Sequence, residues 1–167
     1  MTPPSRALLT ASPPHHTVEQ TGHSEGETMQ VKPHERFSSE VTLTPEAVAA
    51  FARTVGDQNP LHHDPAYAAH TRYKRLVASG TQTTSLLMAL TATYFSQRGA
   101  MVGLEFWFRF RRPIYADDTI LLEWLVVSVQ AQPRLGGEVV DLRGRIRNTL
   151  GETVLGAKGR VLVADQL

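Results

Sequence analysis

A change of period at Met101 constrains this chain more than any other feature. Before it, apolar residues recur at helical spacing; after it, they alternate with polar ones through successive strands. Immediately upstream, residues 76–97 carry no charged side chain. Ser79, Gly80, Gln82 and five threonines make that run too polar for a membrane span, so it reads as a buried helix. The helix should open at Ser79-Gly80, run to about Gln97 and stop at Gly99. Thr83, Leu87, Leu90 and Tyr94 line one face, while Leu86, Met88 and Phe95 leave little of the circumference polar. Such a helix has to be wrapped on most sides, and the strands that follow are the material to wrap it.

Four strands are expected there. In the first, Val102, Leu104, Phe106, Phe108 and Phe110 point one way and Glu105, Trp107, Arg109 and Arg111 the other, until Pro113. Thr119 to Val129 is apolar on both faces, as suits a central strand or a subunit interface. Val139 to Asn148 alternates again, and Leu150-Gly151 turns the chain into Thr153 to Val163. Upstream of the long helix, Phe37 to Leu43 alternates as a short strand. Thr44 and Pro45 then open a helix that Gly56 closes, with Val48, Phe51, Ala52 and Val55 on its buried face. Asp64-Pro65 repeats that opening for a short helix through Tyr73. The economical solution is an α+β domain: a curved antiparallel sheet wrapped around one long central helix.

Residues 1–35 differ in kind. They hold five of the ten prolines and four of the seven histidines without apolar periodicity, so they read as a disordered tail before a single domain over 36–167. His15-His16 lacks further ligands at metal-binding spacing, and no metal site is expected. The absence of cysteine excludes disulfides, thiolate metal sites and a cysteine nucleophile. A formal net charge of +1 gives no electrostatic case for nucleic acid or a membrane surface. With no membrane span and no signal-peptide pattern, the expected location is cytoplasmic.

The chemistry-bearing stretch is Val55-Gly56-Asp57-Gln58-Asn59-Pro60-Leu61-His62. It sets a carboxylate and an imidazole five residues apart on a proline-stiffened segment after a helix end, where both can reach one small substrate. An Asp/His pair sharing a water suits general acid–base addition or removal of water. Taken alone, Asp57 reads as a cap on the turn after Gly56, and His62 as a half-buried histidine. Asn59 and Pro60 shape the loop, His63 faces solvent, Tyr67 packs, and Ser79 caps its helix.

The wider pattern reverses the reading of Asp57 and His62. Phe51-x-x-x-Val55-Gly56-Asp57-x-Asn59-Pro60-Leu61-His62 is followed by Asp64-Pro65-x-Tyr67-Ala68, then Leu76-Val77-Ala78-Ser79-Gly80, then Phe108-x-Phe110-x-Arg112-Pro113-x-Tyr115-x-x-Asp118-Thr119. In order and spacing this resembles the MaoC-like dehydratases, the (R)-specific enoyl-CoA hydratase family, over roughly residues 37–164. The resemblance implies a hotdog fold and a hydro-lyase that reversibly hydrates a trans-2-enoyl thioester to the (R)-3-hydroxyacyl thioester. It implies Asp57 and His62 as the catalytic dyad, with the roles of acid and base left open between them. Gly80, at the positive end of the long helix, would offer its N–H to the thioester oxygen, with Asn59 and Ser79 in support. No cofactor is implied beyond a coenzyme A thioester as substrate, or one carried on acyl carrier protein. Arg72, Lys74, Arg75, Arg109, Arg111 and Arg112 are candidates to pair with coenzyme A phosphates.

The chain departs from the family pattern at Lys74-Arg75-Leu76, where Gly-Arg-Pro is common, and at Thr81-Gln82, where a large apolar residue often follows the glycine. A sheet edge and the apolar strand Thr119 to Val129 suggest a homodimer. Rival readings of the same fold are an acyl-CoA thioesterase and a non-catalytic acyl-thioester-binding subunit.

Overall fold

The computed structural model describes residues 31–166. Its elements run β1 (Arg36–Thr42), α1 (Pro45–Thr54), a 3-10 turn (Pro60–His62), α2 (Pro65–His70), α3 (Gly80–Phe95), β2 (Ala100–Phe110), β3 (Thr119–Gln132), a second 3-10 turn (Pro133–Leu135), β4 (Gly137–Asn148) and β5 (Thr153–Ala164). The strands form one antiparallel sheet in the order β1-β3-β4-β5-β2. This is the expected α+β arrangement, with α3 laid across one face of the sheet. Trp124 of β3 joins the two layers: it is buried, and its Nε1–H donates to the Leu87 carbonyl of α3 at 2.8 Å. Gly144, directly opposite on β4, leaves the room that the indole fills; a Cβ there would lie 2.5 Å from the ring.

The helix openings follow the sequence signals. Thr44, Asp64 and Ser79 each cap a helix by accepting an N–H from three residues on. Two helices end earlier than periodicity suggests: α2 at His70 rather than Tyr73, and α3 at Phe95. Residues 31–35, assigned by composition to the tail, already belong to the fold. Val31 is buried, the His34 N–H donates to the Val126 carbonyl, and Val126 donates back to Glu35. Residues 1–30, including His15-His16, lie outside the described part.

One sheet expectation needs correction. A bulge between Gly103 and Glu105 shifts the face of β2, so Val102 and Leu104 do not lie with Phe106 and Phe108. Met101 packs on the core instead, Gly103 yields its side-chain space to the Phe106 ring, and Val102 and Leu104 are exposed. The pairing also decides between the two readings of β3. This strand is hydrogen-bonded on both sides, to β1 and β4, so its two apolar faces mark an interior strand. Among the described residues, the edge strands of the sheet are β1 and β2.

Candidate functional site

The site is assembled around the end of α1. Gly56 takes the left-handed conformation (φ +75°), and two bonds of a helix-terminating motif close behind it. The Gly56 N–H donates to Arg53 at 3.1 Å, and the Asp57 N–H donates to Ala52 at 2.8 Å. Asp57 is thereby fixed as the first residue after the reversal. Its Oδ1 accepts the Asn59 N–H at 3.0 Å. Asn59 in turn caps the following turn, its Oδ1 accepting the Leu61 N–H at 3.1 Å. Pro60 supplies the fixed φ of the first turn residue, and His62 closes it by donating its N–H to the Asn59 carbonyl at 3.0 Å. Asn59 thus shapes the loop.

This chain of local bonds brings the two side chains together. The Asp57 carboxylate and His62 Nε2 stand 3.6 Å apart, the carboxylate 27% exposed and the imidazole 9%. The other imidazole nitrogen, Nδ1, lies 2.6 Å from the Val77 carbonyl. A carbonyl only accepts, so Nδ1 carries the proton, and in the neutral ring Nε2 presents a lone pair. Two acceptors therefore face each other across a gap too wide for a direct hydrogen bond. A water at about 2.8 Å from each would subtend an angle of about 80° and donate one hydrogen to each.

Val77 also ties this loop to the helix beyond it. Its N–H donates to the Leu61 carbonyl at 3.2 Å, and it bridges to Tyr115. Sequence reasoning missed Val77, because a main-chain acceptor has no residue signature. Two residues on, Ser79 caps α3: its Oγ accepts the Gln82 N–H at 3.1 Å and pairs with the Thr81 hydroxyl at 2.9 Å. Ser79 is fully buried. Gly80 is the first residue of α3, where a backbone N–H has no partner within the helix. The Phe110 ring lies against it, 3.0 Å from where a Cβ would stand.

His63 does not face solvent as expected. It is half-buried, and its Nε2–H donates to the Asp57 carbonyl at 2.5 Å.

The basic candidates scatter. Arg75 stacks on Tyr115, 3.8 Å from the ring centroid, and pairs with Asp117 at 2.5 Å and Asp118 at 3.6 Å. Arg112 pairs with Glu152 at 3.2 Å, and Arg72 donates to the Tyr73 hydroxyl. Lys74 holds a left-handed backbone (φ +63°) next to them. Arg109 and Arg111 line a depression of about 770 Å³ on the sheet face turned away from α3, together with Trp107, Arg143 and Lys158. The sheet separates that pair from Phe110 and Gly80. No cluster of three or more His, Asp or Glu suited to a metal occurs among the described residues, nor is any described helix long and apolar enough to cross a membrane.

A sheet wrapped on one helix, with an Asp/His pair on the loop before it, defines a hotdog domain. The MaoC like domain family model matches residues 27–141, and the chain belongs to that family. The (R)-specific enoyl-CoA hydratase of Aeromonas caviae is 34% identical over 83 residues, half of this chain and 61% of that protein. A UPF0336 protein from Streptomyces avermitilis is 29% identical over 122 residues, 67% of this chain and 77% of its own length. Among solved structures, the R-hydratase PhaJ1 from Pseudomonas aeruginosa superposes with a TM-score of 0.73 at 24% identity, covering 83% of this chain and 85% of its own. That last likeness shows the fold.

Proposed function

We propose that this protein is a hydro-lyase that hydrates a trans-2-enoyl thioester reversibly to the (R)-3-hydroxyacyl thioester. The observation that carries the reading is the 3.6 Å gap between two acceptors, the Asp57 carboxylate and His62 Nε2, with the imidazole oriented by Val77. A water held there donates a hydrogen to each and turns a lone pair outward. As the C3–O bond forms, one water proton passes to the pair, and C2 receives one proton from it. One molecule of water is added, and the pair regains its starting protonation state.

Charge developing on the thioester oxygen requires a donor, and the free N–H at Gly80 supplies one at the positive end of a 16-residue helix. Ser79 supports this by holding the first turn in place. No metal or redox group is needed, because the thioester already polarises the double bond. The substrate is a coenzyme A thioester, or the same acyl group on a carrier protein. Of the basic candidates on the segment before α3, Arg72 and Lys74 have no carboxylate partner among the described residues, and the phosphate contacts are assigned to them. Arg75 and Arg112 already have carboxylate partners, and Arg109 and Arg111 lie across the sheet.

A homodimer is part of the proposal. Among the described residues the β2 edge has no partner strand, and it exposes Val102, Leu104, Trp107 and Phe110, so a second copy pairing there would cover them.

The test is an enoyl-CoA panel followed by loss of the conjugated absorbance, with free thiol measured in parallel. Hydration without thiol release is expected, whereas thiol release would assign a thioesterase. Asp57→Asn and His62→Ala should each reduce turnover at least about a hundredfold, by removing a general acid–base group. Full activity in either variant would end the assignment.

A further inference from the structure

We infer that His63 is a positioning residue: its imidazole clamps the Asp57 main chain and so sets where the Asp57 carboxylate points. The inference rests on the reading of Asp57 as an acid–base group. Three bonds hold Asp57, two of them to main-chain groups that any partner residue would supply: its N–H donates to the Ala52 carbonyl at 2.8 Å, and its carboxylate accepts the Asn59 N–H at 3.0 Å. The third depends on one particular side chain. His63 Nε2–H donates to the Asp57 carbonyl at 2.5 Å, closing residues 57–63 into a ring. Without it, the Asp57 peptide can rotate about its carbonyl while the helix end behind it stays in place. The carboxylate would then move relative to an imidazole that is separately anchored on Val77.

The two adjacent histidines are thus fixed in opposite senses. His62 donates from Nδ1 and keeps Nε2 free for chemistry; His63 donates from Nε2 and spends it on structure.

The test uses the full chain with His63→Gln, His63→Glu and His63→Leu. Gln places an N–H near the position of Nε2; Glu has the same shape but only an oxygen to offer; Leu offers neither. In the hydration assay, His63→Leu should lower kcat about 10- to 100-fold with KM held within about twofold, as displacement of a reacting group by about an ångström does. His63→Gln should recover to within about threefold of wild type, and His63→Glu should be as slow as Leu or slower. The pH–rate profile should keep its shape in His63→Gln.

Long-range ¹H–¹⁵N spectra of the wild type at alkaline pH, which need no activity, should show the Nε2–H tautomer for His63 and Nδ1–H for His62. Equal kcat in Gln and Glu, full activity in Leu, or an Nδ1–H tautomer at His63 would each overturn the inference. Asp57→Asn in the same assay separates the two claims. If it keeps activity, the reading of Asp57 fails; if it is inactive while His63→Leu is not, only the clamp fails.

Discussion

Gly80 has two competing reasons to be glycine, and one double-mutant cycle separates them. A Cβ there would lie 3.0 and 3.2 Å from two atoms of the Phe110 ring, against about 3.5–4.0 Å for relaxed carbon contacts. The ring must therefore retreat by about half an ångström. Phe110 is 57% exposed and lies at the end of the free-edge strand, so that retreat meets little resistance. The strain should stay within about 1 kcal/mol, below the range for overpacking a closed core. Alanine also gains up to about 1 kcal/mol of helix propensity over glycine, less at the first helical position. Gly80→Ala should consequently unfold within a few degrees of wild type.

Its activity should not survive so well. If the Gly80 N–H receives the thioester oxygen, a methyl beside it blocks the approach, and kcat/KM should fall about a hundredfold, or about 2.7 kcal/mol. The cycle adds Phe110→Ala, which removes the ring. Thermal melts and enoyl-CoA hydration are then measured for both single variants and the double. Activity that stays low in the double variant supports carbonyl approach as the reason for glycine. Recovery to the level of Phe110→Ala alone would refute it and leave Gly80 as a packing residue only.

Three further outcomes follow from other parts of the fold. Trp124→Phe should cost about 2–3 kcal/mol, combining a buried hydrogen bond to Leu87 with a partly collapsed void; adding Gly144→Ala should recover part of that in a urea melt, although Gly144→Ala alone destabilises. Burial, with help from the Glu35 carboxylate, pushes the Tyr94 hydroxyl up to about 12 from its ordinary 10.0, so absorbance at about 295 nm should show one late-ionising tyrosine, absent in Tyr94→Phe. Because that folded-state value is raised, the associated stability is complete below the ordinary value and drains away as pH climbs from there through about 12. Val102→Asp with Leu104→Asp should halve the mass seen by light scattering without lowering the melting point of the protomer, and an unchanged dimer would remove the β2 edge from the interface.

Local signals proved the most legible. The caps at Thr44, Asp64 and Ser79 read directly, because each is a short polar residue placed three positions before the N–H it accepts. The Asp57-to-His62 loop was legible for the same reason: the cap and turn bonds at Gly56, Asp57, Asn59 and His62 each span five residues or fewer. What the sequence hid was non-local or depended on main chain. Apolar content on both faces of Thr119–Gln132 could mean interface or interior, and only the pairing of β3 with β1 on one side and β4 on the other decides it. The bulge at Leu104 had one clue in Gly103, a residue that weakens a strand and often marks a break in register. Arg75 looked free until Asp117 and Asp118, more than 40 residues away, came to it.

That division bears on the chemistry itself. Local bonds place the Asp57 carboxylate and the His62 backbone, but they leave the imidazole free to turn about its side-chain torsions. The tautomer and ring direction come from a contact 15 residues away, the Val77 carbonyl on the segment leading into α3. Val77 bonds back to Leu61 beside His62, so the donor end of α3 and the acceptor pair are joined through one short, hydrogen-bonded connection. A shift of α3 against the loop would therefore move the imidazole and the Gly80 N–H in the same direction. In the proposed hydration the water and the thioester oxygen would have to be held at a fixed separation for addition across C2 and C3, and a shared mount for their partners would preserve that separation better than two independent ones.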